Sequence, residues 1–337
     1  TKNSRISRFP FAIAVLVFTA TAAFLLFPGK DGGDKSDPIN PESNGLDSSS
    51  IQLNPSVELV NGTDLIWQIP ASPKAVVFLA HGCGGRASHF WDKSPTCSHC
   101  IGLPEERAIV LHALSRSFAA VAISSRTTCW SFGDEIPAVN HLLRRWISDQ
   151  NLQNLPVFAL GASSGGYFVS ALAVEFTSFR AIALMISEGV YSRLRLSGNY
   201  PPTIFVHMPK DERRKTKIEE YMAAMRGKGI DVDEIQCLEF PLTPRSFADR
   251  IPGIDLRLSA ELFESFKEKG FIDGNGFMTD DGRAVEWLNV LEEKQIRLPD
   301  PSLKKHIQEE MNLAFAYHEM TSLPSPQIFH WFESHMS

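Results

Sequence analysis

The stretch PVFALGASSGGYFVSALA, residues 156–173, joins an apolar run of strand length to a second apolar run of helical period through a glycine-rich turn. Two readings compete for that turn. It is either an ordinary glycine-tolerant link in a doubly wound sheet or a bend built to hold one hydroxyl out into a cleft. Gly161-Ala162-Ser163-Ser164-Gly165 matches GxSxG directly after a strand and directly before a helix, the context that makes a common pentapeptide specific. A nucleophile at the point of such a turn takes a strained backbone, and its neighbours two residues either side must lack side chains so that strand and helix can approach. Gly161 and Gly165 meet that need around Ser163, whereas Ser164 is flanked by Ala162 and Gly166, a looser match. The following helix puts its positive end beside the Ser163 hydroxyl, where developing negative charge is favoured.

Outward from this turn, runs of strand length fall at 57–60, 65–69, 75–80, 119–124, 157–160, 181–186, 203–207 and 235–240, with helical segments at 105–115, 135–149, 165–175 and 212–227. A hairpin followed by alternating strand and helix predicts an α/β fold with a mostly parallel eight-stranded sheet, helices on both faces and an antiparallel beginning. Sites in such sheets gather at the carboxyl ends of the strands. The rhythm breaks over 241–312, where SAELFESFKEKG, DDGRAVEWLNVLEE and SLKKHIQEEMNLAFAY all have helical period and no strand intervenes. That interval is read as an inserted helical lid or cap, with an extension of the outer helical layer as the alternative.

Three further stretches in chain order, together with the GxSxG turn, make residues 57–331 outside the insertion resemble the α/β-hydrolase superfamily. In VVFLAHGCGG a buried strand runs into His81-Gly82-Cys83-Gly84-Gly85, similar to the family's glycine turn that lends a backbone N–H to the oxyanion hole. The resemblance implies Ser164 N–H as one donor and Cys83 or Gly84 N–H as the other. In PPTIFVHMPKDERRK, Asp211 follows a short strand at the position from which the family presents its acid; Glu188 in MISEGV, after the preceding strand, is the alternative. The family's order places the histidine after the acid, which leaves four of the ten: His306, His318, His330 and His335. His306 falls on a charged helical face, His330 inside IFHWF of a last amphipathic helix, and His335 in a fraying tail. His318 remains, in AFAYHEMTSLPSP between an apolar helix and a polar loop. The implied activity is a serine hydrolase that cleaves a carboxylic ester through an acyl-enzyme on Ser163, Asp211 and His318. A catalytically idle receptor or ligand-binding protein on the same fold is the alternative. The long interval between Asp211 and His318 departs from the family's usual pattern because the helical insertion falls within it.

At 337 residues with 43% apolar and 21% charged, the chain has the composition of a folded globular protein, which excludes disorder as its dominant state. A net charge of -6 gives no reason to expect a nucleic-acid partner, and KDERRKTK at 210–217 is read as the solvated start of a helix. No cofactor or metal is expected. The amino terminus differs in kind: Lys2, Arg5 and Arg8 precede an uncharged stretch at 9–29, whose apolar heart would extend roughly 25 Å as a helix. Residues 1–29 are therefore expected to form a cytosolic tip and a single transmembrane signal-anchor, with a flexible linker at 30–50 and the folded domain, 51–337, lumenal (endoplasmic reticulum or Golgi) or extracellular. Signal cleavage after Ala22 or Ala23 with secretion is the alternative, though it would leave FLLF at the new terminus; an organelle transit peptide is a third reading. The substrate expected beside that membrane is a small-molecule or lipid-like ester. Asn61-Gly62-Thr63 is a glycosylation sequon in a hairpin-turn context. Five cysteines suit two bridges and one remaining thiol. Cys97 and Cys100 in TCSHC read as a loop disulfide or free thiols rather than half a zinc ribbon. Cys83 is open between a bridge to Cys129 and a small buried side chain.

Overall fold

A computed structural model of the protein describes residues 51–194 and 196–337. The span and linker expected within residues 1–50 lie outside the described residues, among which no helix is long and apolar enough to cross a membrane.

β1 (Ser56–Val60) and β2 (Thr63–Gln68) form the expected hairpin. Asn61 and Gly62 join them with φ of 51° and 79°, the left-handed values that a two-residue turn needs to match strand twist. There follow β3 (Ala75–Ala80), α1 (Pro104–Ser115), β4 (Phe118–Ile123), α2 (Glu135–Asp149), β5 (Val157–Ala162), α3 (Ser164–Glu175), β6 (Phe179–Met185), β7 (Thr203–His207), α4 (Glu212–Arg226) and β8 (Val232–Gln236). The strands stand in the order β1-β2-β4-β3-β5-β6-β7-β8, and β2 alone runs against the others. Both faces are covered. In β3, Val77 and Leu79 enter the core beneath α1, while Val76 and Phe78 enter the core beneath α2, α3 and α4. This period-two division makes the central strands unbroken apolar runs, each buried large side chain contributing about 1.5–3 kcal/mol.

β8 lies upstream of its expected position at 235–240. It is an edge strand with Asp233 exposed and Glu234 half-buried, so pairing with β7, from Thr203↔Val232 to His207↔Gln236, sets its limits rather than apolar content. After it come α5 (Ser246–Arg250), α6 (Leu256–Glu268), α7 (Trp287–Glu293) and α8 (Leu303–Phe315), then α9 (Ser325–Ser334). Phe247, Phe266, Trp287, Ile307 and Met311 from α5–α8 belong to the same buried cluster as Val77, Leu79 and α1. The inserted helices thus share a core with the sheet, and α8 packs on α1.

The join between β5 and α3 is set by close approach. A Cβ on Gly161 would lie 2.3 Å from Gly165 O, and one on Gly165 would lie 2.2 Å from Ala80 O of β3. Neither neighbour is a flexible side chain, so any larger residue must displace backbone. Gly165→Ala is expected to destabilise the fold by about 1–3 kcal/mol, read as a lower urea midpoint with unchanged slope; an unaltered midpoint would contradict the close approach.

Candidate active site

Ser163 stands between β5 and α3 with φ 51° and ψ -116°, and its N–H donates to Met185 O of β6 at 2.9 Å. A β-carbon-bearing residue at positive φ is strained, and here the sheet and the packed glycines hold it there. Ser164 opens α3, so its N–H is one of the first-turn donors that have no partner within the helix.

β3 neighbours β5 and delivers the His81–Gly85 turn beside Ser163. His81 organises this turn: its Nε2 accepts from Ser125 N–H at 2.9 Å, its Nδ1–H donates to Gly82 O at 2.7 Å, and its own carbonyl accepts from Trp130 Nε1 at 2.9 Å. Burial pushes this imidazole down to about 4, so it remains neutral and keeps that tautomer. Cys83 is bridged to Cys129 in the loop after β4, and Gly84 N–H donates to Thr128 O at 2.7 Å. The Gly84 amide, one of two expected to face an oxyanion, is therefore committed elsewhere. Among the described residues the Cys83 N–H makes no such bond. Cys97 and Cys100 are bonded to each other, which removes them as thiolate ligands, and Cys237 is the buried free thiol. Among the described residues no group of three His, Cys, Asp or Glu is placed to hold a metal ion.

Ala316, at φ 54°, ends α8 in the left-handed conformation and turns the chain so that His318 Nε2 comes to 3.0 Å from Ser163 Oγ. Asp211 caps α4, its Oδ1 accepting from Arg214 N–H at 3.0 Å. The Arg214 guanidinium donates to Asp211 Oδ2, its Nε donates to Glu188 Oε2 at 3.1 Å, and its NH1 lies 3.1 Å from His318 Nδ1. Tyr167 OH donates to the same Glu188 oxygen at 2.5 Å. Both carboxylates considered for the acid thus converge on one arginine, which stands at the imidazole nitrogen they were expected to reach. Arg214 was read as part of a solvated charge run; it is only 8% exposed. The signal for it lay in the cap itself, since an Asp N-cap aims its third helical residue back over its own carboxylate.

This placement fixes a tautomer. Arginine only donates, so Nδ1 of His318 accepts and the ring proton sits on Nε2, directed at Ser163 Oγ. Burial first, then the Arg214 and Arg283 guanidinium groups, push His318 down to about 4.

The other histidines lie away from this cluster. His306, expected on a charged helical face, is buried, with Nε2 donating to Gly102 O at 3.0 Å, and ties α8 to the loop before α1. His330 is on the exposed side of α9, which packs through Ile328, Phe329 and Phe332. His335, assigned to a fraying tail, caps α9 and pairs with Asp231 at 3.1 Å. A cavity of about 530 Å³ opens before Ser163 and His318, floored by Gly82 and Cys83 and walled by α8.

An eight-stranded sheet in this order with only β2 reversed, and a serine at positive φ between β5 and α3, decides the architecture. The chain has the α/β-hydrolase fold. No protein-family model matches the sequence, and no curated protein does. Solved structures of α/β-hydrolases are similar at a distance. An alpha/beta hydrolase enzyme from a Medee basin deep-sea metagenome library is 14% identical with a TM-score of 0.43, the match covering 60% of this chain and 88% of that one. A thermostable carboxyl esterase from Bacillus coagulans is 11% identical with a TM-score of 0.42, over 59% of this chain and 94% of that one. A dienelactone hydrolase from Anabaena variabilis is 18% identical with a TM-score of 0.42, over 63% and 95%. Likeness of this degree says nothing about substrate.

Because a cation beside Nδ1 opposes a second positive charge, Arg214→Gln is expected to raise the His318 titration midpoint above about 4. Histidine-selective NMR across pH 3–8 reads this directly; a midpoint unmoved by the substitution would place the guanidinium elsewhere in solution.

Proposed function

We propose that the chain is a serine hydrolase that cleaves a carboxylic ester through an acyl-enzyme intermediate. The observation that carries this reading is the 3.0 Å approach of His318 Nε2 to Ser163 Oγ, on a backbone bent to positive φ. In the working cycle His318 holds its proton on Nδ1, and Nε2 takes the serine proton as Oγ attacks the carbonyl carbon. The carbonyl oxygen gains charge and is met by the N–H groups of Cys83 and Ser164. Collapse of this adduct breaks the bond to the alcohol, which leaves with the proton from His318. Water then adds to the acyl-serine by the same relay and releases the acid. Asp211 is the carboxylate that steadies Nδ1–H, and for this Arg214 must withdraw from Nδ1. Glu188, already paired with Arg214 Nε, offers the guanidinium an anchorage on the far side.

A second reading has one observation in its favour. With Arg214 donating to Nδ1, His318 points a proton at Ser163 rather than a lone pair, the arrangement of an idle site in a ligand-binding protein. A fluorophosphonate probe separates the two, because it reacts only with an activated hydroxyl. Labelling is expected in the intact protein and lost in Ser163→Ala, while His318→Ala and Asp211→Asn lower ester turnover on the order of 10⁴-fold. Absence of labelling across pH 5–9 in a folded protein would leave the idle reading standing.

We further propose that the folded domain faces away from the cytosol, behind an amino-terminal anchor. Lys2, Arg5 and Arg8 ahead of the uncharged stretch support this, as do the two bridges, which persist in oxidising compartments. Asn61 lies on an exposed turn where an acceptor asparagine is accessible. Expressed in a secretory pathway, the protein is expected to lose mass on treatment with an N-glycosidase, and Asn61→Gln to abolish that shift; a cytosolic, glycan-free product would overturn the orientation.

A further inference from the structure

We infer that the cavity before Ser163 takes the alcohol part of its ester as a hydroxyl-rich, sugar-like group rather than a hydrocarbon chain. This rests on the hydrolase reading and narrows its substrate class. The helix α8 carries the main evidence. Its residues Leu303, Ile307 and Met311, spaced by four, are buried in the shared core, while Lys304, Gln308 and Asn312, spaced likewise, line the cavity together with Glu309. The α8 side of the cavity is therefore a stripe of hydrogen-bonding groups from Lys304 to Asn312, while Leu103, Ile186, Leu288 and Met320 supply apolar lining elsewhere. A lid shaped for acyl chains would turn its apolar row to that space.

From α1, Glu106 also lines the cavity, 6% exposed. Glu309 is buried beside it, its Oε2 accepting from Glu105 N–H at 3.1 Å; burial pushes Glu106 up to about 7 and Glu309 well above the usual carboxylate range. Glu106 Oε2 has no hydrogen-bond donor among the described residues. Two carboxyls in a water-poor wall are costly to keep where aliphatic side chains would pack as well, and a donor from a bound ligand would relieve that cost. Around them a chain of bonds fixes the neighbouring amides: Trp287 Nε1–H donates to Gln308 Oε1 at 2.7 Å, Gln308 Nε2 to Asn312 Oδ1 at 2.9 Å, and Asn312 Nδ2 to Glu319 Oε2 at 2.7 Å. Gln308 has a second N–H left after these bonds. Lys304 and Lys305 pair with no carboxylate among the described residues and add ammonium donors at the same wall. Acids, an amide and ammonium groups in one concave wall are complementary to adjacent hydroxyls, each of which both donates and accepts.

Two acetates that differ only in the alcohol test the inference: 6-O-acetylglucose and hexyl acetate. The protein is expected to favour the sugar ester in kcat/KM by at least about ten-fold, since a wall built to bond hydroxyls penalises a partner that lacks them. In Gln308→Leu and Glu309→Gln the ratio is expected to fall towards one, with the loss expressed in KM for the sugar ester. Binding of 6-O-acetylglucose to Ser163→Ala, followed by saturation-transfer NMR, requires no turnover and no altered wall. Fluorophosphonate labelling of Ser163 with hexyl acetate preferred, or with no sugar-ester binding to Ser163→Ala, overturns this inference and leaves the hydrolase reading intact. Sugar-ester binding to Ser163→Ala without any labelling of the intact protein does the reverse.

Discussion

The approach of the α3 start to β5 at Gly161 and to β3 at Gly165, closer than a single Cβ allows at either position, governs where the Ser163 oxygen stands. Strand and helix meet at this distance only if the residue between them bends to positive φ, and the bend turns its side chain out of the sheet. Sheet pairing on one side, through Ser163 N–H to Met185 O, and helix packing on the other keep the bend from relaxing. The same helix start supports the His81–Gly85 turn, because the carbonyls of Ala80 and His81 are the atoms against which Gly165 fits. One steric constraint thus sets serine, helix amide and glycine turn together.

Electrostatics around His318 are less settled by sterics and depend on how Arg214 divides itself. Three acceptors surround the guanidinium: Asp211, Glu188 and Nδ1 of His318. A buried arginine with two carboxylates is well satisfied without the imidazole, so its contact with Nδ1 is the one most readily surrendered. Glu188 is held in turn by Tyr167, whose hydroxyl donates to it, so the far anchorage is itself fixed in place.

Most of the fold was legible because its signals are local. Apolar runs in β3, β4 and β5 are uninterrupted, Asn61-Gly62 specifies its turn, and GxSxG sits at a strand-to-helix join. β8 was misplaced because an edge strand owes its position to the register of β7, a partner nearly thirty residues away that no window along the chain includes. Of the candidate site, Ser163 and His318 stand 3.0 Å apart, the pair that the family's chain order and elimination implied. The cap at Asp211 signalled that Arg214 folds back over that carboxylate, but the commitment of Gly84 N–H to Thr128 and the reach of Arg214 to His318 Nδ1 were not legible, since both join segments brought together only by the fold. His306 misled because charged flanks on a helix say nothing about which side a neighbour will cover; the loop carbonyls before α1 cover it.

Position along the chain gives the site a history. Ser163 and its turn belong to the first half of the described domain, but His318 follows 155 residues later, after Arg283 and the polar stripe of α8, and α9 then packs through Phe329 and Phe332 against Phe118 and Phe158 of the sheet. Domains made vectorially can assemble early strands while later ones are still being translated. Here the nascent sheet would present a bent serine without the imidazole that stands beside it until residue 318 had been added. Under the hydrolase reading such a site is born switched off, and loss of α9 would leave it so.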